Sequence, residues 1–371
     1  MRRKICLALL LLLPALTLNA QNPGYKYWSS GKLDWGDYRK DSSVSADGSS
    51  SSNSFGWETK DTTEIFGNLT LHRVASSVYL NKSQSWYVPG QVTDETLRYN
   101  QLFFDLNELY CRQMLREVYD PTVEFDVAFL QDYYIGLATV KMAEINVMSD
   151  HGNDSETVSY FDTMIQGQLS ALPRAPFNPR ALKKGKHGFG GYFGLGGEVF
   201  LGSPADYLSP MYMMTFGLRY YYSRFFVDAG LGLGLLKSRA DFHAGEDDFY
   251  NRQVLADIQC NALAGVNLYD GPVLRIAPFA GIGYNGVSRV DTEDDESAPK
   301  GLRGMRIMGG LDFDVKTSRE AWIFPQDRSL TESGFNVRLY LAKTGFNSGM
   351  DGLSINIGVA YSVQMFGLRG W

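Results

Sequence analysis

The chain has 371 residues, room for two domains of ordinary size, and a formal net charge of -6. That acidic balance excludes the basic footprint of a nucleic-acid binder. Its 39 Gly, 22 Tyr and 22 Phe, with no long apolar run past the first residues, favour strands with aromatic girdles over membrane helices.

Residues 1–20 predict a secretory signal peptide. Arg2, Arg3 and Lys4 form a positive start, Ile5 to Leu13 a short apolar core, and Asn19-Ala20 a small-residue cleavage site before Gln21. The run is too short to stay behind as a membrane helix. No Cys follows it, so a lipid anchor is not expected. Cys6 leaves with the signal, while Cys111 and Cys260 fall in different domains, which argues against a disulfide framework.

Residues 21–172 read as an α+β domain. Short strands are expected near 31–38, 63–72, 75–81 and 84–88. The Ser-rich stretch 41–54 reads as a flexible loop. A helix is predicted over 94–118, capped by Thr93 or Asp94, with Leu97, Leu102, Phe103, Leu106, Leu109, Met114 and Val118 on its apolar face. Two further helices are expected near 124–147 and 155–171.

Three stretches of this half carry a resemblance: Leu33-Asp34-Trp35-Gly36-Asp37-Tyr38, then Ser85-Trp86-Tyr87-Val88, then the helix bearing Gln101, Phe104-Asp105, Glu108 and Arg112. Together they look like the predicted secreted zinc-dependent proteases of bacteria, and Asp150-His151-Gly152 resembles a later segment of that family. The resemblance implies a His-Glu-x-x-His motif just before Phe-Asp. Two histidines four apart would hold zinc, and the Glu would act as general base. Tyr99, Asn100 and Phe103 stand at those positions here. The ligands and the base are all missing, so no catalytic, cofactor-binding or metal residue is assigned, no cofactor is expected, and the domain reads as a pseudoenzyme. His72, His151, His187 and His243 show no ligand spacing, and His151 is expected to be a hydrogen-bonded residue at a helix start. No Gly-x-Ser-x-Gly elbow appears.

Pro173, Pro176 and Pro179, followed by Lys183, Lys184 and Lys186, read as a stiff linker over 173–187 whose lysines form a solvated or headgroup-facing collar. From residue 188 to 371 the pattern changes to period two. In the last segment Leu353, Ile355, Ile357, Val359, Tyr361, Val363 and Met365 alternate with Ser354, Asn356, Gly358, Ala360, Ser362 and Gln364. Segments near 189–201, 211–221, 225–237, 254–268, 273–287, 305–315 and 335–343 repeat the alternation. Eight such strands predict a closed barrel with apolar side chains toward lipid, against the alternative of a soluble sandwich.

Tight turns at 221–224 and 269–272 alternate with longer polar loops at 202–209, 239–253, 289–304 and 346–352, as in outer-membrane barrels. The long link 316–334 breaks this rhythm and is read as a flap carrying Trp322, Phe324 and Pro325. Trp371 resembles the terminal aromatic read by barrel-assembly machinery. Glu198, Asp228, Asp257, Asp312 and Asp314 are expected to face Arg219, Arg275, Arg306 and Arg338 inside the barrel, pairing to plug it. The glycine runs at 194–197 and 230–234 continue as strand and read as small inward residues, not phosphate loops. The acidic runs at 246–248 and 291–296 lack calcium-loop spacing.

The expected whole is an α+β periplasmic domain followed by an eight-stranded antiparallel transmembrane β-barrel. The barrel sits in outer-membrane lipid, and the first domain is a non-catalytic module binding a periplasmic or envelope protein, a peptide or a glycan. The rivals are a membrane-tethered hydrolase with an unrecognised site and a narrow solute pore.

Overall fold

The structure, a computed structural model, describes residues 22–41, 50–120, 126–174, 182–244, 247–290, 301–347 and 349–369. The predicted signal peptide, most of the Ser-rich loop, the acidic run 291–296 and Trp371 lie outside these residues. Two compact units emerge, Met1–Asp61 with Val74–Pro176, and Thr62–Arg73 with Phe177–Trp371. The division departs from the sequence expectation in one respect. Residues 62–73, expected within the first domain, group with the barrel.

The strands of the N-terminal half are β1 (Tyr25–Tyr27), β2 (Arg39–Lys40), β3 (Ser51–Ser52), β4 (Phe55–Phe66), β5 (Leu69–Asn81) and β6 (Trp86–Tyr87). β1 pairs antiparallel with β5, and β6 lies between β2 and β3. The strand expected over 31–38 is instead a single 3-10 turn at Trp35–Asp37. The cause is local: the Asp34 carboxylate accepts the Gly36 N–H at 2.8 Å while Asp37 accepts the Asp34 N–H at 3.2 Å, a reciprocal cap that closes a turn. The strands expected at 63–72 and 75–81 also rearrange. Gly67, at φ +66°, turns the chain, and a single strand then runs from Leu69 to Asn81.

Three helices follow, α1 (Asp94–Val118), α2 (Val127–Met148) and α3 (Ser155–Ala171). Thr93 caps α1, its hydroxyl accepting the Thr96 N–H at 3.2 Å. Leu102, Leu106 and Leu109 of α1 pack with Ile145 of α2 and with Val158, Phe161, Ile165 and Leu169 of α3. Phe103 is only half-buried and packs at the edge of this core. His151 does not start a helix. Its backbone sits at φ +56°, and its N–H donates to Asn146 O at 2.8 Å, closing the end of α2, while Asp154 caps α3.

A polar knot ties this half together. Asp105, buried on α1, accepts the Trp28 indole N–H at 2.6 Å and the side-chain amides of Gln101 and Gln166 at 2.7 Å each. Burial raises its carboxyl above the ordinary range, and the three donors work against that rise. Arg112 pairs with buried Glu108 at 3.0 Å and donates to the carbonyls of Leu169 and Leu172 at 2.9 and 2.7 Å. Its guanidinium lies 5.0 Å from the Trp28 ring centre. Asp105 and Arg112 therefore hold α1 to α3.

The second unit is a barrel of eight antiparallel strands: β7 (Lys183–Gly202), β8 (Met211–Tyr222), β9 (Phe225–Lys237), then, past a small hairpin of β10 (Phe242–Ala244) and β11 (Asp247–Phe249), β12 (Val254–Val266), and past the short β13 (Tyr269–Asp270), β14 (Leu274–Arg289), β15 (Leu302–Ile323), β16 (Arg328–Phe346) and β17 (Asp351–Arg369). A five-residue helix, α4 (Ser203–Tyr207), joins β7 to β8. The ring closes because β7 pairs with both β8 and β17, and β15 with both β14 and β16. Closure rules out the soluble sandwich. Alternation follows the predicted faces: on β17, Ile357 is 54% exposed and its neighbour Asn356 1%.

Two expectations at the barrel rim are corrected. The first strand starts at Lys183, so the lysines form part of β7 and not of a linker, with Lys183 and Lys186 exposed. Lys184 turns to Glu332 at 2.6 Å and Asp270 at 2.8 Å, partners distant in sequence that a composition-based reading could not anticipate. The 316–334 link is no flap. β15 and β16 continue pairing through it, past a bulge between Lys316 and Ser318, to a turn at 324–327, where the Phe324 N–H donates to Asp327 O. Beyond β14 the protruding edge of β15 would be bare, and residues 69–73 of β5 pair parallel with 319–323 there. His72 stacks on Trp322 at 4.0 Å.

Candidate functional site

Among the described residues, the barrel lumen and a cavity beside α1 hold organised polarity that could act on another molecule.

The lumen fills itself. Glu198 accepts from Arg306 at 3.0 Å and from Gln259 at 2.8 Å. Arg219 reaches Asp312 at 2.6 Å and Asp228 at 3.0 Å. Arg338 joins the same two carboxylates at 2.8 and 3.0 Å. Arg275 holds Asp314 at 2.6 Å, and Asn336 donates to Asp314 at 3.1 Å. Asp257 meets Gln259 at 2.9 Å. These nine charged residues are thus inside and bonded. Tyr192 lies across Gly217 and Gly230, where a Cβ would collide with its ring at Gly217 and with its hydroxyl at Gly230, and donates to Asp228 at 3.0 Å. Apolar side chains including Phe200, Met211, Leu255, Leu302 and Phe346 pack into one buried cluster past the Glu198 end of this network.

The cavity lies wholly in the N-terminal unit and has a volume of about 1000 Å³. Its floor is α1, through Tyr99, Asn100, Phe103 and Asn107. One wall is the chain from Ser50 to Trp57, and the other is α2 with the turn carrying His151 and Asn153. The three positions that would carry the metal motif and the later histidine therefore meet around one space. His72, His187 and His243 do not join them. His72 stacks on Trp322, His187 meets Tyr220 and His243 meets Asp248.

The side chains present do not make a zinc site. Asn100 is buried and its amide is committed on both atoms, accepting from Asn53 at 2.9 Å and donating to Ser51 at 3.2 Å. Tyr99 donates its hydroxyl to Asn146 at 2.6 Å, and burial raises that hydroxyl above its ordinary range, so it remains a neutral donor. Phe103 offers a ring, edge-on to Tyr99 at 4.6 Å between centroids. No step through a metal follows from this arrangement.

What the cavity does offer is neutral polarity beside aromatic rings. Trp57 donates to Asn107 at 3.0 Å, which fixes both against the floor. Asn53 links Asn100 to the Tyr38 hydroxyl at 2.9 Å. None of the described lining residues is Asp, Glu, Lys or Arg. The sequence reading missed Asn53, Asn107, Asn146 and Asn153 as site residues. Asn53 lies in a stretch read as low-complexity loop, and isolated asparagines carry no spacing signal, so only the fold brings them together.

No family model matches the chain, and no curated protein matches it in sequence. Among solved structures it is similar to the N-terminal β-barrel domain of Pseudomonas aeruginosa OprF, at 13% identity over 48% of this chain and 99% of that one, with a TM-score of 0.25. It is similar to the outer membrane protein OprG of the same organism at 10% identity over 51% and 98%, TM-score 0.29, and to Ail, the attachment invasion locus protein of Yersinia pestis, at 10% identity over 49% and 99%, TM-score 0.28.

Proposed function

We propose that the mature protein is an outer-membrane barrel that anchors a non-catalytic periplasmic binding domain, with the cavity beside α1 as that domain's ligand site. The observation that carries the membrane half is the outward face of a closed sheet. Phe193, Leu195, Leu218, Ile282, Ile307 and Ile357 are among the large apolar residues that the ring turns outward. A soluble monomer does not tolerate so wide an apolar belt, and a bilayer requires it. An even strand count brings both ends of the barrel to one side of the membrane, the side of the tight 223–224 turn, and short turns of such barrels face the periplasm.

The lumen network supports an anchor over a pore. Eight strands leave room for side chains only, and here those side chains bond across the interior. In the other half, we read the sequence resemblance to zinc proteases as a retained fold with changed chemistry. The positions of the metal and base are taken by a Tyr–Asn bond, a locked Asn amide and a Phe ring.

Metal analysis of the purified full chain after dialysis against micromolar zinc tests this reading. The expected result is no stoichiometric zinc. One zinc per chain, lost when His151 is replaced by Ala, would restore the tethered hydrolase.

A further inference from the structure

We infer that the cavity beside α1 takes an uncharged oligosaccharide, an assignment that rests on the binding reading above and names its ligand class. The argument starts from what the walls lack. With no Asp, Glu, Lys or Arg among the described lining residues, a carboxylate, phosphate or ammonium drawn into the cavity would lose water and meet no opposing carboxylate, ammonium or guanidinium among them. An acyl chain fits as poorly, because it would strip water from the asparagine and serine side chains and return no hydrogen bond.

The groups that remain match hydroxyls. A side-chain amide presents donors and an acceptor together, and a sugar hydroxyl can answer either. Asn146 spends its carbonyl oxygen on Tyr99, and among the described residues its NH₂ makes no hydrogen bond. The Asn153 amide, the Ser52 hydroxyl and the His151 ring also line the cavity without a side-chain hydrogen bond to described residues. Beside them stand the partly exposed rings of Tyr99, Phe103 and Phe55. The electron-rich face of such a ring attracts the polarised C–H groups of a pyranose. Rings for the C–H face and amides for the rim are the two contacts that a neutral sugar needs, and a site built to bond hydroxyls rejects ligands that lack them. The volume lies at the top of the roughly 300–1,000 Å³ range of small-ligand sites, room for a short oligosaccharide and not for a single ring alone.

The test uses the full chain in a detergent without a sugar headgroup, such as lauryldimethylamine oxide. Saturation-transfer NMR and calorimetry are run with maltotriose, cellotriose and tri-N-acetylchitotriose, and in parallel with a random hexapeptide pool. Saturable binding of at least one trisaccharide is expected, weakened about tenfold by Asn146→Ala, the loss of roughly one hydrogen bond, and similarly by Asn153→Ala in case the first variant misfolds. Cys260→Ser, on the barrel surface, should leave it unchanged. Binding of peptides but of no sugar would overturn the ligand class and keep the binding domain. Binding that ignores both asparagines would overturn the site. Silence from both pools would overturn the binding reading itself.

Discussion

Arg219 on β8 and Asp312 on β15 meet at 2.6 Å although their strands stand on opposite sides of the eight-strand ring. A second bridge crosses in the same way, Arg338 on β16 to Asp228 on β9 at 3.0 Å. Neighbouring strands are already held by their ladders, so these pairs add what a ladder cannot, a tie across the lumen. Removing Asp312 leaves Arg219 and Arg338 sharing the Asp228 carboxylate in a buried site. Breaking a buried pair costs about 3–5 kcal/mol, so Asp312→Ala should lower the urea midpoint of the barrel in lipid vesicles by that equivalent. A shift within error would mean that water reaches the lumen and screens the charges.

Gly217 gives a second handle on the same interior. Its missing side chain is the space that the Tyr192 ring fills. Gly217→Val should displace the ring, break the Tyr192–Asp228 bond and reduce the folded, heat-modifiable fraction on gels. Gly191→Ala, where the nearest atoms stand off at ordinary contact distance, should fold as wild type.

In the N-terminal unit, Trp28 and Asp105 predict a stability effect without a loss of charge pairing. Asp105→Ala orphans three donors at once, the indole of Trp28 and the amides of Gln101 and Gln166. Each unsatisfied buried donor costs about 1–3 kcal/mol, so the variant should unfold this unit well before the barrel, seen as an early loss of near-ultraviolet dichroism. Asp105→Asn, which keeps an acceptor, should retain part of the difference.

Asp37 contributes to the acid response of the N-terminal unit. Burial alone would raise its carboxyl, but Lys82 at 2.9 Å, the Asp34 backbone N–H and Lys26 at 3.4 Å outweigh it, and the group ionises below the ordinary range. A carboxyl with a lowered folded value stabilises the fold above its unfolded value, roughly pH 3.9, and that contribution is lost as pH falls through the lower folded value. Asp37→Asn should therefore melt below wild type at pH 7, with the gap narrowing as pH drops below about 4. A gap independent of pH would assign the effect to packing.

Much of this fold is legible in the sequence because two of its signals are strong and local. The period-two alternation on β17 and the 3.6-residue apolar spacing from Leu102 to Leu109 each need only one element to be read. The inward arginines were legible for the same reason, since any polar residue on the inner face must point to the lumen. What escaped depends on distant partners. Lys184 reads as a solvated linker residue until Glu332 is placed beside it, and the stretch around Trp322 reads as a flap until the edge of β15 meets residues 69–73. Asp34 and Asp37 look compatible with a strand until their mutual cap is seen. The cavity was half legible. Tyr99, Asn100, Phe103 and His151 stood out by comparison with a motif they lack, whereas Asn53, Asn107 and Asn146 had no pattern to reveal them.

The most direct test of the account is a spin-label scan along β17 in lipid vesicles, one cysteine at a time from 353 to 365 in a background without Cys111 and Cys260. Labels at Leu353, Ile355, Ile357, Val359, Tyr361, Val363 and Met365 should show high collision with oxygen and low collision with a water-soluble nickel complex, while those at Ser354, Asn356, Ala360 and Gln364 should be immobile and shielded from both. A period-two pattern of that phase places the apolar face in lipid. Uniform access of the nickel complex along the strand would contradict it.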